Sequence, residues 1–116
     1  MFARLLRIQL KMDRIDEAAS LFKKNVVPLC RKQKGFKGAY FMVDPRSGDG
    51  LVITLWTSEK AMLANEQSHF FLEQVTKFIG FYAKPPIREA YEVALIDLNG
   101  KSLVLFSGWA DVRLIL

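Results

Sequence analysis

The chain has 116 residues, a formal net charge of +5 and 51% apolar residues, which suits one domain with its own core. No stretch approaches the ~18 uncharged apolar residues of a membrane span. A single cysteine, Cys30, excludes an internal disulfide and fits a reducing compartment, and one cysteine with one histidine builds no metal site. The expectation is a cytoplasmic protein with no membrane partner.

The N-terminal MFARLLRIQLKMDR is apolar but broken by Arg4, Arg7 and Lys11. It lacks a small-residue cleavage site and reads as a strand rather than a signal peptide. Over Phe2 to Lys11, the residues Phe2, Leu6, Ile8 and Leu10 share one face. Ala3, Leu5, Arg7 and Gln9 share the other, a mixed face that predicts partial burial. Asp13 is placed to cap a helix from about Arg14 to about Lys34, with Asp16 and Glu17 in its first turn, where the helix dipole favours acids. Ile15, Ala18, Phe22, Val26 and Leu29 recur at helical spacing as one apolar stripe. Pro28 lies inside that stripe and predicts a kink near Lys24 or Asn25, and Gly35 is the expected stop.

Phe36 to Val43 reads as the second strand, with aromatics on both faces, and Pro45 to Gly50 as a turn. Leu51 to Trp56, LVITLW, is almost wholly apolar, as a central strand is. Ser58 is a candidate N-cap for the second helix. That helix reads as broken at Asn65-Glu-Gln-Ser68, with Ser68 capping a new start that carries Phe71, Val75, Phe78 and Ile79. Lys84-Pro-Pro86 reads as a stiff linker. Ile87 to Leu98 is the fourth strand. Asn99-Gly100 predicts a two-residue hairpin in which Leu98 faces Lys101, Ile96 faces Leu103 and Val93 lies opposite Phe106. The returning segment is expected alongside the fourth strand, with Trp109 to Leu116 reaching towards a second copy.

The order is β-α-β-β-α-β plus a C-terminal extra strand. This is an α+β, ferredoxin-like antiparallel sheet with both helices on one face. Residues 1–98 form that domain and 99–116 a C-terminal extension packed on it. Two helices cover one face only, yet several strands are apolar on both, so a homodimer through the open sheet face is expected.

Basic residues gather at Lys23-Lys24, Arg31-Lys32, Lys34 and Lys37. Nucleic-acid binding would need aromatics interleaved with that charge, and Phe36 alone is near, so the cluster reads as a solvated helix face. The charge is also compatible with an acidic small molecule.

Pro28 to Gly35 leading into Phe36-Lys-Gly-Ala-Tyr40, and Leu51 to Trp56 followed by Thr-Ser-Glu-Lys-Ala61, resemble the antibiotic biosynthesis monooxygenase domain family. That family lies within the dimeric α/β-barrel superfamily, and the resemblance runs from about Phe2 to Val93. It implies a homodimer whose sheets pack as a barrel. For the best-studied members it implies oxidation of electron-rich aromatics such as quinols by molecular oxygen, with no metal or flavin. Members that degrade haem carry an Asn on the first strand, and a Trp and a His on the second helix. The corresponding places here fall near Arg7 or Ile8, at Asn65 and near Val75, and none matches. Trp56 matches a more general family tryptophan.

The candidate catalytic residues are Trp56, Asn65 and His69, with Tyr40 and Arg7 as candidate ligand-binding residues facing the same cavity. Trp56 could stack on an aromatic ligand or fill the core. Asn65 could hydrogen-bond a ligand oxygen or end a helix. His69 could act as a base near neutral pH or sit at the surface. Arg7 suits a carboxylate or phenolate, or solvent. Cys30 reads as packing. Two readings follow. One is a cofactor-independent monooxygenase acting on a small aromatic or quinol-like compound. The other is a non-catalytic dimeric small-molecule-binding or structural protein of the same fold. An open, polar-lined cavity favours the first and a filled one the second.

Overall fold

The computed structural model describes residues 1–104 and 114–115. Four strands, β1 (Phe2–Leu10), β2 (Phe36–Val43), β3 (Asp49–Trp56) and β4 (Tyr82–Glu92), form an antiparallel sheet in the order β2-β3-β1-β4. The helical segments α1 (Ile15–Leu21), α2 (Val27–Cys30), α3 (Glu59–Gln67) and α4 (Phe70–Thr76) complete the α+β, ferredoxin-like arrangement. Register assigns the two faces, because directly paired residues point the same way. Leu5 pairs with Ile53 and with Glu89, and Arg7 with Leu51 and Ile87, on one face. Arg4 pairs with Thr54 and Ala90, and Leu6 with Val52 and Arg88, on the other. The second face carries the core, where Leu6, Ile8 and Leu10 pack with Ala18, Phe22, Val26, Cys30 and Phe78.

The first helix departs from its expected course. Asp13 lies in a 3₁₀ turn, Met12–Arg14, and α1 begins with no side-chain cap. Instead of a kink, the chain widens into a π-helical segment, Phe22–Val26, just before Pro28. Pro28 has no N–H to donate and its ring crowds the turn before it, and the wider turn relieves both. The helix ends at Cys30 rather than Lys34. The extra residue in the π turn also shifts the stripe: Ala18, Phe22, Val26 and Cys30 are buried, and Leu29 only partly. Cys30 is thus a packing residue at 3% exposure. Lys23, Lys24, Arg31, Lys32, Lys34 and Lys37 are all exposed.

Ser58 caps α3 as expected, its Oγ accepting from Ala61 N at 3.1 Å. The break that follows is not capped by Ser68. The Ser68 hydroxyl donates back to the Asn65 carbonyl at 2.7 Å, and His69 makes the turn with a positive φ of 68°. Lys84-Pro-Pro86 is no linker but part of β4. It sits on an edge strand at a register shift opposite Arg7 and Gln9, where a missing N–H is tolerated.

The expected long fourth strand is two strands. β4 ends at Glu92, and β5 (Leu95–Leu98) starts a separate sheet with β6 (Lys101–Val104) and β7 (Leu114–Ile115). The hairpin turn is as expected: Asn99 and Gly100 have φ of 55° and 77°, Leu98 pairs with Lys101 and Ile96 with Leu103. Among the described residues, however, no fifth strand joins β4. Phe106 and Trp109 lie outside the described residues.

Gly35 closes the first helical passage at φ +84°, and its carbonyl accepts from Thr57 N at 2.8 Å. A Cβ there would lie 2.6 Å from the Ala61 Cβ and 2.9 Å from the Thr57 Oγ1. Gly35→Ala should therefore destabilise the fold by about 1–3 kcal/mol, from both backbone strain and overpacking. Gly80→Ala, where a Cβ meets nothing within 4 Å, should change stability by no more than about 0.5 kcal/mol. Urea titration of both variants measures the contrast.

Candidate functional site

β1 places Arg4 on the core face of the sheet, and at 4% exposure it is a buried cation. Burial of a guanidinium requires partners on every side. Its Nη2 donates to Asn65 Oδ1 at 3.1 Å and its Nη1 to Glu66 Oε2 at 3.3 Å. Its guanidinium carbon lies 4.1 Å from the Phe71 ring centre and 5.1 Å from that of Trp56. Both contacts fall in the range where the ring quadrupole attracts a cation. Burial pushes the Arg4 pKa below its ordinary value, and attraction to Glu66 offsets that only in part.

Three elements fix these partners. Trp56, at the end of β3, is fully buried and donates its Nε1 to Thr54 Oγ1 at 2.9 Å. Phe36 meets it edge-on with ring centres 5.7 Å apart. The cap at Ser58 sets the phase of α3, which turns Asn65 inward. Asn65 then donates its Nδ2 to Gln33 Oε1 at 3.0 Å, tying α3 to the exit of the first helical passage. Glu66, the next residue, also accepts two bonds of 2.9 Å from Arg88 on β4. One carboxylate is therefore shared by two arginines.

Arg4 forms the polar end of a cavity of about 50 Å³ between the sheet and the helices. Phe41 and Val52 of the sheet wall it, with Phe22, Val26 and Cys30 of the first helical passage. Phe70, Phe71, Gln74, Val75 and Phe78 close it from the second. Thr54, Gln74, Cys30 and Tyr82 bring the remaining heteroatoms. Burial raises the pKa of the Cys30 thiol, so it is held as the inert neutral form. An outer depression lined by Gln33, Lys34, Ser58, Lys60 and Asn65 lies on the other side of Asn65. The Arg4–Asn65 pair thus stands between an apolar interior and a polar surface.

The structure brings two of the five sequence candidates together: Trp56 and Asn65 both contact Arg4. His69 is exposed and serves the helix break through its backbone, its carbonyl accepting from Glu73 N at 3.0 Å. Tyr40 and Arg7 point away from the cavity, on the open face of the sheet. Tyr40 is 51% exposed there, and Arg7 pairs with Glu89. Their place follows from parity: position 7 is one residue out of phase with Leu6 and Ile8. By the same parity Arg4 is in phase with them, and that is the signal that could have found it. Glu66 and Gln74 carry no such mark, since a helical acid or amide is ordinarily solvated. Among the described residues no cluster of three or more His, Cys, Asp or Glu could hold a metal ion, and no helix is long and apolar enough to cross a membrane.

The sequence profile of the antibiotic biosynthesis monooxygenase family matches residues 1–78. The chain belongs to that family. Its fold is similar to that of a Nitrosomonas europaea protein of unknown function, with a TM-score of 0.67 at 17% identity over 84% of this chain and 92% of that one. A conserved protein from Methanosarcina mazei gives 0.65 at 16% identity over 79% and 92%. A Streptomyces coelicolor monooxygenase in complex with the ligand nanaomycin D gives 0.62 at 17% identity over 78% and 84%. At these identities the likeness is one of fold. No curated protein matches the chain.

Tyr82 lines the cavity, and burial pushes its pKa from 10.0 up to about 12. Between those values the unfolded chain has lost a proton that the folded chain retains. The stabilisation is complete below pH 10 and is lost as pH rises towards 12. Thermal denaturation across that window should show a shallower decline for Tyr82→Phe than for the wild type.

Proposed function

We propose that this protein is a monooxygenase that needs no cofactor and acts on a small aromatic, quinol-like compound held between the sheet, the first helical passage and α4. The observation that carries this reading is an aromatic-walled chamber that ends on Arg4, itself held by Trp56 and Asn65, in a family defined by monooxygenases. The chemistry asks little of the protein when the substrate is electron-rich. A hydroxyarene plus O₂ gives a quinone plus water: one oxygen atom enters the ring, the other leaves as water, and the substrate supplies all four electrons. The protein's part is to desolvate the ring, orient it and stabilise negative charge on its oxygen. The Phe side chains of the chamber serve the first two tasks and Arg4 the third, with Trp56 and Asn65 holding Arg4 in place.

The alternative is a non-catalytic dimeric small-molecule-binding or structural protein of the same fold, and the cavity's volume favours the structural form of it. About 50 Å³ is well below the roughly 150 Å³ in which an apolar protein cavity accepts benzene. An oxygen-electrode screen of hydroquinones and naphthols separates the two. The expected result is O₂ uptake above spontaneous autoxidation, reduced at least about tenfold by Val75→Phe, which fills the chamber, and retained by His69→Ala. Uptake equal to the protein-free control for every compound would leave the non-catalytic reading.

The same reading includes a homodimer through the open sheet face. Tyr40, Met42, Ile87 and Tyr91 are 44–58% exposed there, around half-buried Leu5, Leu51 and Ile53. Hydrogen bonds from Tyr91 and Arg7 hold the Glu89 carboxyl below its usual pKa and fix one polar cluster on this face. A second copy would cover the apolar residues with an interface above roughly 1,000 Å². Sedimentation at micromolar concentration should give twice the chain mass for the wild type and the chain mass for a Tyr40→Glu, Ile87→Glu variant. A monomeric wild type would refute the dimer.

A further inference from the structure

We propose that Arg4 is the specificity-determining residue of this chamber, and that it selects a ligand bearing one negative charge, a carboxylate or phenolate, on a small apolar body. The inference rests on the chamber being the ligand site and adds the charge of what it takes. Three observations converge on it.

The first is the charge balance. Arg4 and Arg88 share one carboxylate, Glu66, at 3.3 and 2.9 Å. The other hydrogen-bond partner of Arg4, Asn65, is neutral. The cluster therefore keeps a surplus of one positive charge. Arg88 is 36% exposed through its side chain and can be solvated, whereas that of Arg4 is 5% exposed. The surplus falls on the buried member, whose pKa is lowered first by desolvation and further by the nearby Arg88. A neutral ligand leaves that surplus in place, a dianion overshoots it, and a monoanion cancels it. The apolar walls exclude the water that would otherwise screen the pairing.

The second is orientation. A guanidinium between two rings keeps a fixed plane, and a planar fork suits the paired oxygens of a carboxylate. The third is access. Phe71, partly buried, covers the guanidinium at 4.1 Å and is the second residue of α4, directly after the left-handed turn at His69. Rotating that one ring aside uncovers Arg4 and adds the volume a ligand ring needs. The ligand then replaces a cation–ring contact with a charge pair.

The test uses the full chain with 4-fluorobenzoate and 4-fluorobenzamide, which share shape and differ in charge, titrated by ¹⁹F NMR. Wild type should bind the benzoate at least about tenfold more tightly than the amide. In Arg4→Met, similar in length and apolar, the ratio should fall to about one. In Arg4→Lys it should fall to an intermediate value, because the charge remains and the fork is lost. If Arg4→Met does not fold, the wild-type ratio and its drop in Arg4→Lys decide the question. Equal binding of both probes to wild type, or an unchanged preference in either variant, would overturn the proposal and leave the chamber a ligand site. Binding of neither probe would overturn the chamber as a ligand site as well. Benzoate selectivity without O₂ uptake on any quinol would remove only the catalytic reading.

Discussion

A cation on the core face of the first strand is the constraint around which this structure closes. A guanidinium cannot enter an apolar interior alone, because its desolvation costs several kcal/mol in the absence of partners. Every element near the N-terminal end of β1 supplies one. β3 brings Trp56, α3 brings Asn65 and Glu66, α4 brings Phe71, and β4 brings Arg88 to hold Glu66 in place. Loss of Asn65 or Glu66 leaves a buried guanidinium nitrogen without its hydrogen-bond partner. Such an arrangement specifies how α3 and α4 sit on the sheet more sharply than apolar packing does, since ring and methyl contacts tolerate sliding and charge-assisted hydrogen bonds do not.

Two helical irregularities border the same chamber. The π segment Phe22–Val26 answers Pro28 and moves the buried stripe onto Cys30. The left-handed turn at His69 splits the second helical passage and starts α4 with Phe70 and Phe71. A regular helix would have continued its ridges straight across the sheet. The two offsets instead leave a gap that side chains do not fill, at the level of Leu6 and Ile8. Cavity and local irregularity coincide here for a physical reason: close packing is the default, and a cavity needs something to interrupt it.

The four-stranded sheet uses its two faces differently. One holds the core and the buried charge cluster, and the other presents Leu5, Tyr40, Met42, Ile53, Ile87 and Tyr91. Pairing between β5, β6 and β7 forms a sheet of its own, so the backbone edge of β4 is not closed by the C-terminal hairpin among the described residues. The step at Val93 and Ala94 accounts for this. Val93 N bonds back to Met1 O at 2.9 Å, which ends the pairing of β4 with β1 and lets the chain turn away.

What the sequence determined by itself is what depends on neighbours along the chain. The alternation in β1, the aromatic strand β2, the apolar run of β3, the Ser58 cap and the Asn99-Gly100 turn are local patterns, and each occurs where it was read. Membership of the family was legible in the step from Leu51-Val-Ile-Thr-Leu-Trp56 to Thr57-Ser-Glu-Lys60. What only the tertiary structure decided is what depends on neighbours across it. Lys84-Pro-Pro86 becomes an edge strand and the fourth strand divides, because the partner strand and its register settle those outcomes. The site divides in the same way. Trp56 and Asn65 were readable as residues, but their meeting at Arg4 was not. A buried arginine and a solvated one look alike until the chain has folded and its partners, fifty and more positions away, have arrived beside it.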